Sequence, residues 1–216
     1  MRLHHALVAP LLVVVVVGAG GTAVEQPKPF PIAGPLSPGT YAIQVFKPNF
    51  TFTAGSGWLV GGHGDATGVI ALQDARFAST NYLVVLNVRD SCTEEGFRSP
   101  VPSPRQVMAS LGTRPWVAAA KPRPARIGGV SGLAIDFTVV STPPAAPKRR
   151  PCLTYLSTVT PESPFRYAIW YKQSKHRLIA LVVKRQVVVV EIIAPKGDFG
   201  RFAEKADAFV RTVRWR

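Results

Sequence analysis

Two stretches near the C-terminus, Arg177 to Val183 and Val187 to Ile193, are almost entirely apolar and are separated by a short polar turn at Lys184-Arg185. Runs of this length, rich in Val, Ile and Leu and bounded by turn residues, form strands. Neither run alternates polar with apolar along its length, so both are covered on both faces or nearly so and lie centrally in a sheet. Phe165 to Gln173 precedes them across a turn near Ser174-Lys175, which makes a three-strand antiparallel meander.

The remaining signal is also mostly β. Tyr41 to Phe46, Phe50 to Thr53, Gly68 to Gln73 and Tyr82 to Val88 are short strand patterns bounded by Gly, Pro, Asn or Asp. Val117 to Ile127 and Ser131 to Val140 flank Gly128-Gly129, the pattern of two strands joined by a turn, with Asp136 facing away from Ile135 and Phe137. Ser103-Pro104 starts a short helix that runs through Leu111 and stops at Gly112. Asp198 caps a closing helix in which Phe199, Phe202, Ala203, Ala206, Phe209, Val210 and Val213 recur at helical spacing, so this stripe packs on the sheet. The expected class is α+β: an antiparallel β-sheet flanked by a short helix and a C-terminal amphipathic helix.

The N-terminus carries a different message. A short basic start, an apolar run from Ala6 to Val17 and the small residues Gly18 to Ala23 follow one another in the order of a secretory signal peptide. The apolar run is shorter than the roughly 20 residues that a membrane-spanning helix needs. Residues 1–23 are therefore expected to be a leader cleaved after Ala23, residues 24–40, with five prolines, a tether, and residues 41–216 one exported domain. No cysteine follows the apolar run, so lipid attachment through a cysteine is not expected. The two cysteines, Cys92 and Cys152, most simply form one disulfide in an oxidising compartment. The expected location is secreted or extracytoplasmic, in a periplasmic or cell-wall space.

The formal net charge is +14. Such a balance favours anionic partners, and outside the cytoplasm an acidic polymer, an anionic lipid surface or a partner protein is more accessible than nucleic acid. Lys172, Lys175, His176 and Arg177 crowd one turn of the meander, Lys184 and Arg185 the next, and successive turns fall at opposite ends of a sheet. Lys148, Arg149 and Arg150, and Arg211, Arg214 and Arg216, are further cations for one cluster or the other. The candidate anionic-surface residues are Lys148, Arg149, Arg150, Lys172, Lys175 and Arg177. The lack of one continuous basic face with stacking aromatics argues against nucleic-acid binding.

No catalytic set is legible. Gly55-Ser56-Gly57 and Val130-Ser131-Gly132 approach a nucleophile elbow without matching it, and both serines are expected in turns. Asp136 and Glu191 sit in strand patterns, where a carboxylate needs a partner or an open face; an outward, solvated position is expected for both. If two of Asp136, Glu191 and His176 converge, hydrolytic chemistry returns as the alternative. Two distant cysteines with His63 and His176 give no zinc spacing, and no phosphate-cradling or dinucleotide loop occurs, so no metal or cofactor is expected. Asn49-Phe50-Thr51 matches a glycosylation sequon, meaningful only in a eukaryotic secretory host.

The order of elements has a counterpart. Gly57-Trp58 after an opening strand, Arg126-Ile127-Gly128-Gly129 before another, then the meander and a final amphipathic helix ending in Val213-Arg214-Trp215, resembles the PsbP-like fold, shared by the exported LpqN family of actinobacteria. The resemblance covers roughly Thr40 to Arg216. It implies an antiparallel sheet flanked by helices and a non-enzymatic binding or accessory role, and it transfers no site residue. The lipoprotein cysteine of that group is missing here.

Overall fold

The computed structural model describes residues 26–44, 47–64, 69–76, 81–88, 91–92, 98–99, 103–141 and 172–216. In chain order the described elements are β1 (Lys28–Pro29), β2 (Gly34–Leu36), β3 (Gly39–Ile43), β4 (Phe50–Ala54), β5 (Trp58–Gly64), β6 (Val69–Asp74), β7 (Tyr82–Val88), β8 (Ser91–Cys92) and β9 (Arg98–Ser99). There follow α1 (Pro104–Gly112), β10 (Val117–Ala119), β11 (Arg123–Ile127), β12 (Val130–Val139), β13 (Ser174–Val183), β14 (Gln186–Pro195), α2 (Phe199–Val210) and β15 (Arg214–Trp215). The protein is an α+β fold built on antiparallel sheet, with one short helix and one C-terminal helix.

The apolar runs form the β13–β14 hairpin at the middle of the large sheet, whose order is β10-β12-β13-β14-β7-β6-β5-β2 with β11 also on β12. All of β14 from Val187 to Ala194 is buried, as its pattern requires. Residues of β13 and β14 alternate between two layers. Ile179, Leu181, Val188, Val190 and Ile192 face α2 and a second, small sheet, β1-β3-β4-β15, while Leu178, Ala180, Val187 and Val189 face α1. Helix α1 begins with a reciprocal cap, Gln106 N–H on the Ser103 hydroxyl and Ser103 N–H on the Gln106 side chain, with Pro104 in the first turn. Helix α2 buries Phe202 and Phe209 against Trp58, and each such ring contributes about 2–3 kcal/mol by burial alone.

Several expectations are corrected. Ser174 and Lys175 open β13 instead of forming a turn, which lies at Lys172-Gln173, where Gln173 has φ +69°. Both edges of β13 are taken, by β12 and β14, so the meander is β12–β13–β14 and Phe165 to Gln173 is not its first strand. Residues 165–171 lie outside the described residues. Val117 to Ile127 divides into β10 and β11: Ala120 to Pro122 oppose only Ile135 and Asp136 of β12, which leaves one extra residue at this sheet edge. The segment expected as a tether is part of the fold from Lys28 onward, since β1 pairs in parallel with β3 and β2 pairs with β5. Pro35 is accommodated because β2 is an edge strand. Asp198 precedes α2 without a side-chain cap; its carboxylate takes a bond from Arg201 at 3.0 Å.

Residues 1–23, expected to be a leader, lie outside the described residues. So does Cys152, and Cys92 is described only through its backbone, in the two-residue pairing of β8 with β9.

Candidate functional site

The basic residues singled out along the meander are not one cluster. Lys172 is exposed in the turn before β13. Lys175 lies over the Phe199 ring of α2, 5.0 Å from its centroid. Arg177 is committed to the fold: it donates through Nε and Nη2 to the two Asp136 oxygens at 2.8 and 3.2 Å, and through Nη1 to Asp207 at 2.6 Å. Burial pushes the Asp136 carboxyl up, but the Arg177 guanidinium outweighs it, and Arg123 and Lys175 add to the effect, so the group titrates below its usual range. Arg177 is correspondingly held above its ordinary value. Lys148, Arg149 and Arg150 lie outside the described residues.

His176 is not a turn residue. Its side chain points into the α1 face of the sheet, fully buried, with the Phe137 ring stacked on it at 4.6 Å and 9°. Glu191 is buried as well, which overturns its expected outward position: β14 is central and covered on both faces, so it offers no open side. The carboxylate instead meets His176, Oε1 to Nδ1 at 2.9 Å, and Nε2 meets the Ser174 hydroxyl at 2.7 Å. A neutral imidazole here donates Nδ1–H to Glu191 and accepts the Ser174 proton at Nε2. The connectivity Ser–His–Glu is that of a hydrolytic relay. Its accessibility is not: Ser174, His176 and Glu191 are 0%, 0% and 1% exposed. The sequence contained the signal for this convergence. A two-residue turn at Lys184-Arg185 fixes Leu178 opposite Glu191, which puts His176 diagonally beside Glu191 on one face.

Of the other serines, Ser56 lies in an exposed bend and Ser131 is paired within β12, opposite Arg126. The sequon is folded away in part, with Phe50 and Thr51 buried in β4 and the Asn49 carbonyl accepting the Arg216 N–H at 2.8 Å.

An accessible concavity lies at the other face of the molecule, where the chain leaves α2 and runs beside β4. This groove of about 560 Å³ is lined by Thr40, Thr51, Thr53, Thr212, Arg211 and Arg214, with Phe52 and Ala208. Alternation on the small sheet explains its chemistry: Phe50, Phe52 and Trp215 turn to the core, and Thr51, Thr53 and Arg214 to the opposite face. Thr40 and Thr53 are cross-strand partners with hydroxyls 3.1 Å apart. The Thr212 hydroxyl accepts the Thr53 N–H at 2.9 Å and bonds the Phe209 carbonyl at 2.7 Å, which pins the chain after α2 to β4. Arg214 donates through Nη1 to the Arg211 and Val213 carbonyls at 3.1 and 2.9 Å. The adjoining β11–β12 turn is held here too, because the Trp215 indole donates to the Ile127 carbonyl at 2.9 Å.

Charge is unevenly balanced across the molecule. Asp74, Asp136, Asp198 and Asp207 are matched by Lys205, by Arg177 and Arg123, by Arg201 and by Arg177. Among the described residues, no side-chain carboxylate pairs with Arg126, Arg211, Arg214 or Arg216. Sequence reasoning recorded three of these arginines but could not place them together, because their meeting depends on the path after α2 and on the β11–β12 turn. Among the described residues no three His, Cys, Asp or Glu side chains are grouped to hold a metal ion, and no helix is long and apolar enough to cross a membrane.

No protein-family model matches the chain, and no curated protein matches it. Solved structures similar to it include the solution structure of cyanobacterial PsbP (CyanoP) from Synechocystis sp. PCC 6803, at 9% identity and TM-score 0.48, covering 89% of this chain and 99% of that one. LpqN, involved in cell envelope biogenesis of Mycobacterium tuberculosis, is similar at 8% identity and TM-score 0.46, over 82% of this chain and 90% of that one. A crystal structure from Bacteroides thetaiotaomicron VPI-5482 is similar at 11% identity and TM-score 0.44, over 77% of this chain and 45% of that one. PsbP and LpqN, the two groups that the element order resembles, are both among these structures. At these values the likeness carries no argument about ligand, partner or activity.

Proposed function

We propose that this is an exported, non-catalytic binding or accessory protein that engages an anionic component of the cell envelope through the arginine-rich end formed by α2, β15 and the β11–β12 turn. The single observation behind this reading is the gathering of Arg126, Arg211, Arg214 and Arg216 at one end without paired side-chain carboxylates among the described residues. Four such cations on neighbouring segments give this end a positive field, within a chain whose formal net charge is +14. Each such cation near an anionic membrane surface contributes about 1 kcal/mol, so four support an association in the millimolar range, of the kind that holds a peripheral protein reversibly. Export rests on the leader pattern of residues 1–23. In that setting Cys92 and Cys152 form one disulfide, which intact-mass measurement before and after reduction tests.

The functional test is co-sedimentation with vesicles of phosphatidylglycerol or of phosphatidylcholine, at low and at physiological salt. Binding to the anionic vesicles alone, weakening as salt rises and lost in an Arg211→Gln/Arg214→Gln variant, is the expected result. Equal binding to both vesicles, or to neither, would overturn the reading.

A second reading has one observation in its favour, the relay Ser174–His176–Glu191. As an extracellular hydrolase the chain would use Ser174 as nucleophile and His176 as base. The complete burial of the hydroxyl weighs against it.

A further inference from the structure

We infer that the groove between β3–β4 and the end of α2 is a specific site for one tetrahedral oxyanion, the phosphate or sulfate group of an ester or of the free ion. The inference rests on the proposed anionic partner and goes further, because a positive surface needs only charge whereas this groove also arranges donors.

The donors are identifiable atom by atom. Arg214 uses Nη1 for the carbonyls at the end of α2, which offsets the negative pole of that helix and leaves Nε–H and Nη2–H as a side-on fork. Arg211, on the same wall, has no ion-pair or hydrogen-bond partner for its guanidinium among the described residues. On the sheet wall, Thr40 and Thr53 share one hydroxyl proton between them, so one O–H of the pair remains to donate outward. Thr51 lines the same wall, and its hydroxyl, which has no partner among the described residues, is open to the solvent of the groove and so available to a ligand.

Guanidinium groups on one wall and hydroxyls on the other approach from different directions. A planar carboxylate is satisfied by one guanidinium fork; a group with oxygens at tetrahedral corners uses both walls. The hydroxyls stand on paired strands, so they are ordered before a ligand arrives.

The exported protein is titrated with inorganic phosphate, sulfate and acetate at constant ionic strength, and its amide NMR signals are followed. In parallel it is sedimented with vesicles carrying equal surface charge as phosphatidic acid or as oleate. The expected result is saturable binding of phosphate and sulfate but not acetate, weakened about tenfold by Thr51→Val and by Arg214→Gln and retained by Thr51→Ser. Phosphatidic acid vesicles are bound more tightly than oleate vesicles if a lipid headgroup is the natural source. Should both vesicles bind equally while phosphate gives no saturable shift and Thr51→Val changes nothing, the oxyanion site is disproved and the charged-surface reading survives. Saturable phosphate binding with no vesicle bound keeps the site, assigns it a soluble ligand and removes the surface reading. If Thr51→Val fails to fold, Thr40→Val and Arg211→Gln decide the same question from either wall.

Discussion

Arg177 Nη1 donates to Asp207 Oδ2 at 2.6 Å, a bond that ties the central strand β13 to the closing helix α2. The same guanidinium holds Asp136 on β12, so three elements distant in sequence meet at one planar group. Arg177→Met leaves Asp136 with Arg123 alone, at 3.4 Å, and the partly buried Asp207 unmatched. Discounted for their partial exposure, 27% and 33%, the expected loss is about 2 kcal/mol, seen as a lower midpoint in urea denaturation with an unchanged slope.

The depressed Asp136 titration fixes the sign of a pH effect. A carboxyl that is more acidic when folded stabilises the fold above its ordinary value near 3.8, and the contribution is lost as the pH falls through that value and then through the folded one. Stability should decline in this window, and Asp136→Asn should lower stability at pH 7 while flattening the decline below pH 4. Thermal denaturation between pH 7 and pH 3 measures both.

The β13–β14 turn offers a gain. Lys184 and Arg185 have φ of +47° and +68°, the pattern of a type I′ turn, in a region that L side chains occupy at some cost. Lys184→Asn with Arg185→Gly suits that backbone and should stabilise the protein by about 1 kcal/mol, read as a higher melting temperature with the sheet signal intact.

The buried relay separates structure from chemistry. Glu191→Leu should cost about 2–3 kcal/mol, because it leaves the His176 Nδ1–H bond unmade inside the sheet. Ser174 should not react with a fluorophosphonate serine probe in the folded protein. Labelling at Ser174 that is abolished by Ser174→Ala would instead establish the hydrolase.

What could be seen in the sequence follows from how local each signal is. The apolar runs, the Ser103–Gln106 cap and the phenylalanine stripe of α2 are patterns within a dozen residues, and the structure forms an element on each. Lys28 to Leu36 looked like a tether because proline dominates it, while its partners Tyr41 and Val60 become relevant only through pairing across two sheets. Glu191 was expected outside because strand carboxylates usually are; the register that sets it beside His176 was derivable, yet it required the turn and both strands to be combined. Arg177 looked like a turn cation because the start of β13 was placed three residues late. The groove was beyond reach, since Thr51 and Arg214 face one another only after β15 lies down along β4.

The pairing of β1 and β2 bears on how the protein would leave the membrane. With a leader ending at Ala23, only Val24 to Pro27 separate it from the first paired residue, Lys28. Even fully extended, such a stretch spans only roughly 15 Å. A folded body on so short a leash would press against the bilayer and crowd any peptidase reaching for the junction. Under the proposed export, release and completion of the two sheets would be ordered events: the leader would be cut while β1 and β2 were still loose, and the first strands would then close the fold behind it.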